Sequence, residues 1–255
     1  MLTVIVGHIL AVGIGLSLGL IGGGGAILAV PILVYVMGLN PKVAIAMSLI
    51  IVCIISIIGV ISHWQQGNIR WKIALTFIPA AMIGANLGSR LTRLPGITDT
   101  VQLIAFAVVM ALVSILMIRR GRQVIPQTNK APFWQSLPSW LTIPGEGLGV
   151  GILTGFVGVG GGFIIVPALV IIEEIPIRQA IGTSLVIIAA SSTAGFLGYV
   201  NQVEINWQLV FTFVLAASSG TIAGSYINRY VDAKQLQQGF GYFILAVAIF
   251  VLIQQ

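Results

Sequence analysis

Two glycine clusters are the most distinctive chemical feature of this 255-residue sequence: Gly22, Gly23, Gly24 and Gly25 in the first, and Gly158, Gly160, Gly161 and Gly162 in the second. Glycine has no Cβ, so backbone N–H groups around it can turn towards a ligand. A helix starting after each break, near Ala26 and near Phe163, presents a positive dipole end and free N–H groups. Two such ends approaching from opposite faces would make a small anion site. Hydroxyls follow each cluster: Ser48 in Ala46-Met47-Ser48-Leu49, and Thr183 with Ser184 in Gly182-Thr183-Ser184-Leu185. Hydroxyls can hold an oxyanion as neutral donors, and in helices they also bond back to their own backbone. Glycines equally allow helices to pack closely, and the spaced pair Gly84 and Gly88 reads that way. A run of four glycines is less well explained by packing.

Other chemistries fail on residue type or context. Asp99, Glu146, Glu173, Glu174, Glu204 and Asp232 all fall at segment ends or in loops. Proton relays and cation sites place a carboxylate mid-membrane, so an anion is the better-suited substrate. Proton coupling would need His8, His63, Tyr199 or an end-of-span acid; His63 and Tyr199, near span ends, read as interfacial anchors. The glycine clusters lack the Gly-Lys-Ser/Thr of a phosphate loop, and no strand–turn–helix surrounds them to make a dinucleotide site. Two histidines and the single Cys53 lie far apart, so no metal or haem set is expected and no cofactor is assigned. No nucleophile–base–acid set stands out, so the chain is not read as an enzyme.

The elements that must position these glycines are membrane helices. The chain is 58% hydrophobic and 7% charged, against about 25% charged in a soluble domain. The lipid bilayer is therefore a partner. Nucleic acid is not, because no basic cluster is interleaved with exposed aromatics. Six runs are long enough to cross: 42–63, 71–92, 100–118, 177–200, 207–228 and 236–253. Residues 2–38 and 146–172 are apolar but broken by the glycines. A shift of 136 residues aligns 13–93 on 149–229 without a gap. It places Gly19, Pro31, Ser48, Trp71 and Arg93 on Gly155, Pro167, Ser184, Trp207 and Arg229. The organisation expected is a first repeat at 1–118, a proline-rich linker at 119–145 and a second repeat at 146–255, in one membrane domain.

A continuous helix over 2–38 would be about 55 Å long, against about 30 Å of bilayer core. Each broken stretch is therefore expected to be a hairpin, re-entrant or fully spanning, that crosses an even number of times. Three spans follow it, so each repeat crosses an odd number of times and the repeats should be inverted. Hairpins place Arg70, Lys72, Arg119, Arg120, Arg122, Lys130, Arg178, Arg229 and Lys234 on one side, and Lys42, Arg90 and Arg93 on the other. That bias makes the linker cytoplasmic and both termini non-cytoplasmic. The fold class expected is an all-α integral membrane protein of two inverted repeats, each a glycine-broken hairpin plus three transmembrane helices.

Gly19-Leu-Ile-Gly-Gly-Gly-Gly-Ala-Ile-Leu-Ala-Val-Pro31 and Gly155-Phe-Val-Gly-Val-Gly-Gly-Gly-Phe-Ile-Ile-Val-Pro167 resemble the twin signature of the TauE/SafE-type sulfite exporter family. In that family an Ala-x-x-Thr-Ser element follows each glycine motif. Ala180-Ile-Gly-Thr-Ser184 matches it, and Ala44-Ile-Ala-Met-Ser48 departs from it at Met47. The resemblance covers essentially the whole chain. It implies a bacterial plasma-membrane permease for small anions, often sulfur-containing: sulfite, thiosulfate or sulfonates. The glycines of both clusters with Ser48, Thr183 and Ser184 would bind the substrate. A passive anion channel and a non-transporting membrane scaffold are the alternatives, and a homo-oligomer is left open.

Overall fold

The computed structural model describes residues 2–91, 99–122, 139–157, 162–197 and 203–253. Among these it is all-helical. The order is α1 (Leu2–Ile21), α2 (Gly24–Pro31), α3 (Pro41–Gln65), α4 (Trp71–Leu91), α5 (Asp99–Arg122), α6 (Ser139–Val157), α7 (Gly162–Ile171), α8 (Ile177–Leu197), α9 (Trp207–Ile227) and α10 (Ala233–Ile253). Within the described residues, α3, α4, α8 and α9 are each long and apolar enough to cross a bilayer. Ile83, Leu75, Phe211, Leu215 and Leu112 are all more than half exposed. An outer surface of large apolar side chains suits lipid rather than water. The protein is thus a multi-pass membrane protein.

The first apolar stretch breaks at its glycines. Gly22 has φ 80°, in the left-handed region that only glycine enters at no steric cost. Its N–H closes α1 by donating to the Leu18 carbonyl at 2.8 Å. The chain then reverses: Gly25 packs on the backbone of Ile14 and Leu18, and Met37 reaches back to Gly7. Pro31 lacks an N–H, and the helix widens after it into a π-helical stretch over Ile32–Val36. The corresponding turn after α7 has the same form. Gly38 and Glu174 both have positive φ, 69° and 52°. Leu39 donates to the Leu33 carbonyl at 3.1 Å, as Ile175 does to Leu169 at 3.4 Å.

Helix packing also follows the duplication. Gly15 and Gly19 of α1 meet the backbone of Ala217, Thr221 and Ser225 of α9, and Gly220 and Gly224 meet Val12, Leu16 and Leu20 in return. Contacts rise together along both helices, so α1 and α9 run parallel. α4 and α6 do the same: Gly147 meets Phe77, Gly151 meets Ala81, and Gly84 meets Leu148 and Ile152. Small residues let these backbones touch. The matched helices α3 and α8 instead cross antiparallel. Leu49 lies against Gly195, Cys53 Sγ lies 3.1 Å from Thr193 Oγ1, and Leu185 lies against Gly59.

Helix boundaries fall close to the expected spans, with one clear difference. α6 starts at Ser139, inside the segment expected as linker, and carries Pro144 within it. Pro144 is in the second turn of α6, where its ring removes one bond of the ladder and the helix continues.

Candidate functional site

The first glycine break meets the start of α7. A methyl group on Gly23 would collide with the Gly162 carbonyl, so the two backbones lie in direct contact. Beside them, a Cβ on Gly22 would lie 2.9 Å from Ser184 Oγ and 3.1 Å from Val166. The structure therefore brings together Gly22, Gly23, Gly162 and Ser184, drawn from both repeats. Gly24 faces Phe243 and Phe240, and Gly25 closes the first hairpin. Gly158, Gly160 and Gly161 lie outside the described residues.

The three hydroxyls divide by partner. Ser48 and Ser184 each donate to the carbonyl three residues back, Ile45 and Ile181, at 2.8 Å. Thr183 is fully buried, and its Oγ1 accepts the Arg70 N–H at 3.0 Å, at the start of α4. It thereby satisfies an N–H at a helix end that has no intrahelical partner. A hydroxyl that accepts can still donate its own proton.

A polar layer that sequence pattern does not single out surrounds the tip of the first hairpin. His63 is fully buried rather than interfacial, and its Nε2 lies 3.1 Å from the Gly19 carbonyl. The α1 tip covers it, which its place at the end of α3 does not foretell. Asn228 donates from Nδ2 to the Leu20 carbonyl at 2.7 Å. Gln66 donates from Nε2 to the Ser225 carbonyl at 3.4 Å. One cavity, about 370 Å³, opens next to this layer, lined by Gln65, Gln66, Asn68, Arg178 and Arg229. Arg178 is fixed there by donating from Nη2 to the Arg229 and Val231 carbonyls at 3.1 and 3.0 Å. Arg229 lies 5.7 Å from the Tyr226 ring centroid, within cation–π range. No group of three or more metal-ligating side chains occurs among the described residues.

Helices of this length and lipophilicity, with the first glycine break touching Gly162 at the start of α7, define a polytopic helical membrane protein. The sulfite exporter TauE/SafE family profile matches residues 8–251. The chain belongs to that family, a family of membrane transporters. A probable membrane transporter protein of Xylella fastidiosa (strain Temecula1) is 35% identical over 243 residues, 94% of this chain and 91% of its own length. The probable membrane transporter protein YdhB of Bacillus subtilis is 26% identical, covering 84% of each chain. The probable membrane transporter protein MJ0441 of Methanocaldococcus jannaschii is 25% identical, covering 99% of this chain and 95% of its own. No solved structure matches the chain.

Proposed function

We propose that this protein is a plasma-membrane permease, a secondary transporter that moves small sulfur-containing oxyanions such as sulfite, thiosulfate or sulfonates by alternating access. The observation that carries the reading is the contact of Gly23 with Gly162, with Ser184 beside Gly22, in a chain of the TauE/SafE family. Broken helices meeting at the interface of repeats are where secondary transporters bind substrate. Both glycine clusters would surround the anion with backbone N–H groups, and Ser48, Thr183 and Ser184 would donate from their hydroxyls. In the present conformation the centre is closed by backbone contact, while a polar cavity opens on one side. That combination suits one state of a carrier better than an open pore.

In this reading the repeats are inverted, the 119–145 linker is cytoplasmic and both termini are non-cytoplasmic. Support comes from the reversal of the first hairpin and from the antiparallel crossing of the matched helices α3 and α8. The test is counterflow in proteoliposomes loaded with sulfite, thiosulfate or a sulfonate. Saturable uptake of labelled anion, accelerated by unlabelled anion inside, is the expected result. Flux that neither saturates nor responds to anion on the opposite side would make the protein a channel. A cytoplasmic C-terminal reporter would overturn the topology.

A further inference from the structure

The cavity beside the first hairpin tip lies where α3 ends and α8 begins, next to the end of α9. Its lining is two guanidinium groups and three carboxamides, with no acid among them. Guanidinium groups match oxyanions in geometry and charge, and carboxamides add neutral N–H donors. Behind the lining stand three fully buried polar side chains, each with one atom lacking a partner: His63 Nδ1, Ser225 Oγ and Asn228 Oδ1. Buried polar atoms are nearly always paired, so a cluster of exceptions marks a place that water or a ligand occupies. The cluster is joined to the cavity through the Gln66 bond to Ser225 and an Asn68 N–H bond to the His63 carbonyl at 2.9 Å. It is joined to the hairpin through the bonds of His63 to Gly19 and Asn228 to Leu20. Polar groups thus run from open water to within three residues of the Gly22–Gly23 break.

We infer that this cavity is a capture subsite for the transported oxyanion. Arg178 and Arg229, with the amides of Gln65, Gln66 and Asn68, take the anion from water on the face that carries most of the basic loops. His63, Ser225 and Asn228 line its way towards the glycine contact. The assignment deepens the transporter reading above and rests on it. The subsite is also one-sided. At the positions 136 residues away the other repeat carries Asn201, Gln202, Glu204, Lys42 and Arg93. Both cations recur, but Glu204 stands where Asn68 does, so the equivalent set adds a negative charge to the same two positive ones. Anion is held more tightly at the Arg178 set.

The test uses the full chain purified in detergent, titrated calorimetrically with sulfite, thiosulfate and sulfate at fixed ionic strength, together with counterflow in proteoliposomes. Arg229→Gln should weaken binding of the preferred anion about tenfold, the effect of losing one charge-assisted contact. Arg229→Lys should recover part of it, and Lys72→Gln, exposed on the same face, should bind as wild type. Asn68→Asp, which copies the charge of the other repeat, should also weaken binding. Unchanged affinity in Arg229→Gln and Asn68→Asp, with counterflow intact, would overturn the subsite and leave the transporter reading standing. Binding that depends on Arg229 without counterflow of any anion in wild type would overturn the transporter reading and keep an oxyanion site. If Arg229→Gln misfolds, the Asn68→Asp titration decides alone.

Discussion

Phe77 and Phe213 stand at matched positions in the two halves, and both are buried in the core. Ser48 and Ser184 match in the same way, down to a back-bond of 2.8 Å in each. Several polar positions at the helix ends do not match. His63, Asn228 and Asn68 face Tyr199, Thr92 and Glu204 in the alignment, and Thr183 faces Met47. Packing in a close-fitting helical bundle tolerates little change, because the glycine contacts of α1 with α9 and of α4 with α6 join the two repeats backbone to backbone. Polar groups at the ends of helices differ between the halves, each meeting its own local partner: His63 the Gly19 carbonyl, Asn228 the Leu20 carbonyl and Thr183 the Arg70 N–H. A duplicated transporter can therefore keep one mechanism of movement while its two faces acquire different affinities.

The sharpest way to break the comparison is at the central contact. Gly23→Ala drives a methyl into the Gly162 carbonyl, a rigid neighbour, and should cost at the upper end of the about 1–3 kcal/mol typical of overpacking. Gly162→Ala meets Gly23 O and the flexible end of Ile188, both at 3.0 Å, and should be milder. Transport rates and thermal midpoints of the two variants give the check. Equal damage would mean that the breaks are interchangeable. Next in size is His63→Leu. It leaves the Gly19 carbonyl buried without its partner, at about 1–3 kcal/mol. Thermal unfolding in detergent should register this loss, and a neutral result would show that water replaces the imidazole. Smaller again is Gly22→Ala, where left-handed backbone costs about 1–2 kcal/mol for a non-glycine residue.

Thr183 and Met47 pose the comparison in its most exact chemical form. Thr183 Oγ1 accepts the N–H of Arg70 at the start of α4. At the start of the matched α9 the capping oxygen comes from Asn206, whose Oδ1 accepts the Leu209 N–H at 3.0 Å. Each half thus caps this helix, one with a hydroxyl from a neighbouring helix and one from its own sequence. Met47 lacks the hydroxyl where α9 already has a cap. Thr183→Val and Asn206→Ala should each cost about 1 kcal/mol; Thr183→Val, which also removes a proposed substrate donor, should raise the KM for anion, and Asn206→Ala should leave it unchanged. An unchanged KM in Thr183→Val would show that its hydroxyl caps α4 and does not contact the substrate.

Sequence alone carries most of the helices and the place of the breaks, because hydropathy sets span length and four glycines cannot continue a helix unnoticed. It does not carry the start of α6, since Pro144 signals a stop that the helix tolerates near its beginning. The burial of His63 is also illegible. That burial comes from the α1 tip, 44 residues away in sequence, folding over the end of α3. The cavity is assembled from three segments, and its arginines sit at span ends, where basic residues are also expected for topology alone. A usable signal was present in the alignment: Arg178 and Arg229 face Lys42 and Arg93, a cation for a cation in both cases.

The bases of the two hairpins supply the mildest contrast. In the first, Leu10 and Met37 occupy positions that Glu146 and Glu173 hold in the second. Burial pushes the Glu173 carboxyl above the usual carboxylate range, and a hydrogen bond with Glu146 offsets part of the shift. The folded protein therefore binds this proton more tightly than the unfolded chain does. The stability so gained is complete below the unfolded carboxylate range and is lost as pH rises through the folded value. Glu173→Gln keeps a neutral hydrogen-bonding group and removes that loss. Its thermal midpoint should match wild type near pH 4 and exceed it modestly at pH 8. Glu173→Met, which copies the first half, should show the same pH trend without the hydrogen bond. A midpoint difference for Glu173→Gln that does not change between pH 4 and pH 8 would mean that the carboxyl is not held protonated by its surroundings.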